Sequence, residues 1–345
     1  MRYGVIPTNL FERLALALGK VPVPVLDTVF SLIKARSVMA AVRLGVFEAM
    51  RSGEHTASEI AQTLALDEEC LDMLLRTLVL TDYLEQRGGR YALSKLAKRT
   101  MVFDGETPLT GYLLWNYTQW NFFEHLEELV RTGKGVDFHD MLEDPTAWRH
   151  YQHGMLELAR IDAPVVAAKV PVPRGAKRLL DVAGSHGLLG AAICRKHPPL
   201  RSTVIDLPRA VEHARVLAES EGIADLVEHR AGDLLSEEFG SDYDVVLLAK
   251  ILHHFSPDRN LEILQKARRA LANGGTVAIW EMERPKRASA VTAGDAGAFF
   301  FRLTSTAGAY HGDEYKKWLE AVGFGRVRIQ RPLVSPGSVL VTGVG

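Results

Sequence analysis

Three aspartates and a pair of histidines in the second half of this sequence stand where apolar runs give way to turns, which is where an α/β protein places its chemistry. Asp181 closes the run Leu179-Leu180 and opens Asp181-Val182-Ala183-Gly184-Ser185-His186-Gly187, a turn of small residues leading into a helix-competent segment, Leu188 to Lys196. Strand, loop and helix in that order present backbone N–H groups and a helix N-terminus to a ligand. Asp206 closes the next apolar run, and a carboxylate at such a strand tip can accept both ribose hydroxyls of a nucleoside cofactor. Asp233, in Ala231-Gly232-Asp233-Leu234, falls where a third strand should end. Further on, Lys250-Ile251-Leu252-His253-His254-Phe255 follows a fourth strand, and Ser256 with Pro257 caps the helix after it. The histidines therefore lie on a strand-to-helix crossing. Position alone says little more, because a loop histidine is in the ordinary case a surface or packing residue.

These residues need elements to carry them. From Arg178 onward strand and helix alternate, with strands expected at 178–182, 202–206, 226–230, 243–248 and 276–281, and a closing hairpin at 324–331 and 338–343. Upstream, Pro22 and Pro24 break the opening segment, and a helix is expected from Leu26 to Leu44, ended by Gly45. Thr56-Ala57-Ser58-Glu59 is a capping box starting a helix expected from Glu59 to Leu64, and Asp67 can cap the next, where Leu71, Leu74, Leu75 and Leu78 mark a buried face. Tyr83 to Arg87, Gly88-Gly89 and Arg90 to Leu93 read as a hairpin, so residues 1–105 form a winged-helix unit. Residues 106–175 read as a helical connector rich in aromatics, including Trp115 and a stripe with Tyr151 and Met155. Most such residues are core, but ligand pockets are also lined this way.

Asp181 to Gly187 resembles the first motif of the S-adenosylmethionine-dependent methyltransferases, specifically the small-molecule O-methyltransferases of plants and bacteria, and the resemblance runs over most of the chain. It departs at Ala183 and Ser185, where that family usually has glycine, and at His186, where it usually has a small residue or threonine. The resemblance implies an α/β fold with a Rossmann-like seven-stranded methyltransferase sheet over residues 176–345, preceded by a winged-helix dimerisation domain. It implies that Gly184, Ser185 and Gly187 lie against the methionine part of the cofactor and that Asp206 holds the ribose, with Asp181 and Leu207 also in the cofactor site. Asp233 and Leu234 would then meet the adenine, with Lys250 also on the cofactor side.

The same resemblance puts the family's general base on His253, with His254 in place of the usual acidic neighbour and Phe255 in place of the usual tryptophan. A hydroxyl is a poor nucleophile until it loses its proton; a phenol titrates near about 10 and imidazole near about 6.5, so a neutral histidine can take that proton as the methyl moves. Glu281 matches the carboxylate that orients this histidine, with Glu283 as its rival. A second family acid is replaced by Ala309, and Tyr310-His311 stands for the usual Arg-Thr. Trp115, Tyr151, Met155, Phe301 and Arg302 are candidate acceptor contacts, Arg302 through a carboxylate on the acceptor.

Composition narrows the field further. The 345 residues suggest two domains, and 47% hydrophobic with 24% charged residues are ordinary globular values. A net charge of −1 gives no general attraction to nucleic acid or to anionic membranes. Asp67, Glu68, Glu69 and Asp72 would repel a duplex from the second helix of the winged unit, so no nucleic-acid partner is expected. No apolar run reaches the roughly 20 residues that span a bilayer. Cys70 and Cys194 are too few for a disulfide framework or a metal cluster, which fits a cytoplasmic protein without a metal. The expectation is a homodimeric enzyme that methylates a small molecule, most often at oxygen. Its rivals are an S- or N-methyltransferase of a small carboxylate-bearing acceptor, and a cofactor-binding winged-helix regulator.

Overall fold

The computed structural model describes residues 4–136, 144–286 and 291–345, and the chain divides into two compact units, Met1–Thr118 and Gln119–Gly345. In the first, Thr56 Oγ1 accepts the Glu59 N–H at 3.2 Å while the Glu59 carboxylate accepts the Thr56 N–H at 2.8 Å, starting the helix Ala57–Leu64. Asp67 accepts the Cys70 N–H at 2.8 Å and starts Glu68–Leu80, which buries Leu71, Leu75 and Leu78. Strands β1 (Leu84–Arg87) and β2 (Arg90–Leu93) pair across Gly88-Gly89, both glycines in the left-handed region, completing helix, helix and wing. The helix expected over 26–44 departs from regularity at its start. Leu26–Phe30 is a π-helical turn, and the α-helix proper is Ser31–Arg43. The Thr28 hydroxyl donates to the Pro24 carbonyl at 2.8 Å inside that turn, a side-chain bond that competes with the regular ladder.

The second unit is built on one sheet: β3 (Arg178–Val182), β4 (Arg201–Asp206), β5 (Val227–Ala231), β6 (Tyr243–Ala249), β7 (Leu271–Met282), β8 (Gly325–Gln330) and β9 (Ser338–Val344). Their order across the sheet is β5-β4-β3-β6-β7-β9-β8, with β3 to β7 parallel and β9 antiparallel to both its neighbours. Strand β7 begins earlier than expected because Leu271 pairs with Tyr243 directly after the helix Pro257–Ala270.

Period-two alternation decides the layering. Leu179, Val204, Val245, Leu247 and Ala278 face one core, shared with the helices Pro145–Lys169 and Leu188–Lys196. Leu180, Val182, Ile205, Val246, Leu248 and Ile279 face the other, shared with Pro257–Ala270 and Gly312–Ala321. Both faces being covered, the strands read as continuous apolar runs. The strand order reverses between β3 and β6, and the crevice beyond the carboxyl ends of these two strands is the natural ligand position of such a sheet. No helix of the described residues is long and apolar enough to cross a membrane.

Candidate active site

The turn after β3 is tightly specified. Ala183, Ser185 and Gly187 all have positive φ (53°, 46° and 74°), which brings the backbone round in small steps before the helix Leu188–Lys196. At Gly187 a Cβ would sit 2.7 Å from the Val227 side chain, so both conformation and space require glycine there. A Cβ on Gly184 would lie 2.4 Å from the Asp181 carboxyl carbon.

Asp181 is therefore enclosed beneath the turn, 1% exposed, with Oδ1 unpartnered among the described residues. Its carboxyl sits directly beneath Gly184 in the turn. Burial first, and then the Asp206 charge, push its carboxyl up to about 7.

Asp206 is placed as expected at the tip of β4. Its Oδ2 accepts the Ser185 N–H at 2.8 Å and its Oδ1 the Leu207 N–H at 2.7 Å, so one carboxylate ties the first two strand tips together. Asp233 Oδ1 accepts the Leu235 N–H at 2.8 Å and shapes the turn after β5, while Leu234 is half-buried against the second core.

Residues not singled out from sequence also hold this turn. Gln152 donates from Nε2 to the Ala210 carbonyl at 3.0 Å and lies 3.4 Å from Ser185 Oγ, and His229 Nε2 is 3.0 Å from the Ser185 carbonyl. Only their polarity at otherwise apolar positions marked them. His186, the bulky residue in the motif, acts as a cap: its Nδ1 accepts the Leu188 N–H at 3.0 Å and its other nitrogen donates to the Met155 carbonyl.

Burial pushes His186 down to about 4, so the folded form is neutral where an unfolded imidazole titrates near about 6.5. The unfolded chain binds the extra proton between those values, and the stability contributed here is complete above about 6.5 and lost as pH falls toward 4. Asp181 has the opposite sign: its raised folded value makes stability fall as pH rises from about 4 to about 7. Thermal denaturation of the ligand-free protein across pH should resolve both. His186→Gln should blunt the acid-side loss, and Asp181→Asn the loss on the neutral side.

The second half of the site follows β6. Lys250 has a positive φ of 57°, and its Nζ lies 3.6 Å from Asp162, which also accepts the Trp280 indole N–H at 2.9 Å. Beyond it the single turn Leu252–His254 carries His253 against the end of β7. Glu281, fully buried, accepts the Leu252 N–H through Oε1 at 2.8 Å and contacts His253 Nδ1 through Oε2 at 2.9 Å. Nδ1 is therefore the donor, and Nε2 has no hydrogen-bond partner among the described residues.

Glu283 is engaged elsewhere, with Arg331 at 2.6 Å and the Gly312 N–H at 2.8 Å. Glu314 likewise turns away, to Arg284 at 2.7 Å.

Rings continue outward from the histidine. His254 lies 4.1 Å and Phe301 4.4 Å from the His253 ring, followed by Phe300 (5.9 Å from Phe301) and Phe123 (6.1 Å from Phe300). Tyr151 and Met155 lie half-buried on the helix that also carries Gln152, and burial, then the Asp206 charge, raise the Tyr151 phenol. Trp115 is buried on Thr110–Gln119, a helix that begins in the first unit. The Arg302 guanidinium donates to the carbonyls of Thr306 (2.8 Å), Ala307 (2.6 Å) and Gly133. Among the described residues no group of three or more histidine, cysteine or acidic side chains could hold a metal ion.

A parallel sheet with this reversal and this antiparallel insertion, carrying a carboxylate at the second strand tip, is the Rossmann-like sheet of the methyltransferases. Residues 121–325 match the O-methyltransferase domain and residues 26–102 the O-methyltransferase dimerisation domain. A 3-hydroxy-5-methyl-1-naphthoate 3-O-methyltransferase of Streptomyces sahachiroi is 31% identical over 328 residues, covering 92% of this chain and 93% of the relative. The mitomycin biosynthesis 6-O-methyltransferase of Streptomyces lavendulae is 30% identical, covering 69% and 71%. Human N-acetylserotonin methyltransferase, solved in complex with S-adenosylmethionine, shares the fold at a TM-score of 0.82 and 16% identity, over 98% of this chain and 99% of that one. The chain belongs to the O-methyltransferase family of the plant and bacterial class. It is an S-adenosyl-L-methionine-dependent O-methyltransferase of small molecules.

Proposed function

We propose that His253 is the general base of this enzyme, that Glu281 orients it, and that the acceptor is a hydroxyl on an aromatic ring. The observation carrying this reading is the buried 2.9 Å contact between His253 Nδ1 and Glu281, which leaves Nε2 to accept a proton. Bound S-adenosylmethionine supplies an electrophilic methyl group. The residues that fit it are Gly184, Ser185 and Gly187 in the turn, Asp206 and Leu207 for the ribose, and Asp233 with Leu234 for the adenine. Lys250, held by Asp162, is proposed on the cofactor side as well.

His253 removes the acceptor proton, and the Glu281 carboxylate stabilises the resulting imidazolium through Nδ1–H. The row from Phe301 to Phe123 suits a flat ring, in keeping with the naphthoate named for the relative. Tyr151 and Met155 are the further contacts proposed for it, and the proposed division of the chain is 1–105, 106–175 and 176–345. A homodimer is the proposed assembly: Leu10, Phe11, Leu14 and Leu18 of the opening helix are all more than half exposed.

The test is to incubate the purified enzyme with methyl-labelled cofactor, 3-hydroxy-1-naphthoate and a pooled metabolite extract, and to identify the labelled product. An aryl methyl ether is expected. A label on nitrogen or sulfur would overturn the choice of nucleophile.

A further inference from the structure

The site lacks the second carboxylate that the resemblance would place at Ala309, and the imidazole has Glu281 alone as its hydrogen-bond partner among the described residues. What holds the His253 turn is a set of donors to its carbonyl groups. Asn260, fully enclosed on Pro257–Ala270, donates from Nδ2 to the Leu252 carbonyl at 3.0 Å and the Phe255 carbonyl at 3.1 Å. The Tyr310 hydroxyl donates to the same Phe255 carbonyl at 2.7 Å. The carbonyl of His253 itself accepts the Gly308 N–H at 2.9 Å and Ser305 Oγ at 3.2 Å.

The turn is thus gripped at both ends and in its middle. Tyr310 is in turn fixed edge-on against Trp318, with ring centroids 4.8 Å apart. Its phenol, pushed up to about 12 by burial and then by Glu314, remains an O–H donor at neutral pH.

We infer that Tyr310 and Asn260 are positioning residues for methyl transfer, holding the 252–255 turn in register so that His253 meets both Glu281 and the acceptor without a second acid. The inference rests on His253 being the base. Small displacements of a reacting group are costly in rate even when binding survives.

Tyr310→Phe deletes one oxygen and keeps the ring, and Asn260→Ala removes the amide donor. The full-length enzyme saturated with S-adenosylhomocysteine would be followed by proton and nitrogen NMR, with the His253 Nδ1–H resonance assigned by its loss in His253→Gln. In Tyr310→Phe this proton should exchange with solvent at least about tenfold faster, because the turn opens more often. With the acceptor from the labelling assay, kcat should fall about tenfold while KM and S-adenosylhomocysteine affinity stay within about twofold.

Unchanged exchange in Tyr310→Phe would overturn the inference, as would losses in rate that merely follow losses in melting temperature. If Asn260→Ala does not fold, Tyr310→Phe alone decides. Full activity in His253→Gln would instead sink the base assignment, and the exchange result would still say whether Tyr310 holds the turn.

Discussion

Replacing His253 with alanine is expected to lower kcat/KM toward a hydroxyl acceptor by at least about a hundredfold, since a positioned base contributes about 10²- to 10⁴-fold. Rate should not vanish, because aligning acceptor oxygen with the methyl group supplies more of the acceleration, about 7 to 11 kcal/mol, and that alignment comes from the pocket walls. The substitution also strands Glu281, whose carboxylate keeps only the Leu252 N–H in a fully buried place. A lower melting temperature should accompany the rate loss. Steady-state kinetics beside calorimetric binding of S-adenosylhomocysteine separates the effects: rate falls and binding holds. A variant that retains most of its activity would mean that the nucleophile needs no base, as for a thiolate.

Asp206→Ala should weaken S-adenosylhomocysteine binding by about a hundredfold or more. Hydrogen bonds to a charged group contribute about 1.5–3 kcal/mol each, and two ribose hydroxyls are at stake. The loss compounds, because the same carboxylate holds the Ser185 and Leu207 N–H groups at 2.8 and 2.7 Å, so its removal frees the turn as well as the ribose site. Asp206→Asn should fall between, keeping an acceptor oxygen without the charge. Isothermal titration calorimetry measures all three proteins, and an unchanged affinity in Asp206→Ala would remove this residue from the site.

Much of this architecture was legible because it is local. Carboxylates closing apolar runs located the strand tips, and the capping box at Thr56 and the cap at Asp67 located helix starts to within two residues. The choice of Glu281 over Glu283 beside His253 came from the resemblance and not from periodicity, because residues two apart share a strand face; Glu283 lies past Met282, where β7 ends, and is held by Arg331. The partners of Arg302 were not legible either: they are carbonyls at 133 and at 306–307, and no sequence pattern links a guanidinium to distant backbone oxygens. His186 looked too large for its motif when judged by volume, whereas its value lies in a nitrogen that caps the following helix. Asn260 and Tyr310 gave no signal at all, being an ordinary amide and an ordinary phenol until the fold sets them against the turn.

The insertion of β9 between β7 and β8 has a cost during folding. Every residue from Thr276 to Met282 takes its partner from a segment more than fifty positions further along, so β7 waits with a bare rim of N–H and C=O groups. That waiting strand also carries Val277, Ala278, Ile279 and Trp280 in succession. Until residues 338–344 dock, that rim is a template on which another chain's strand could pair.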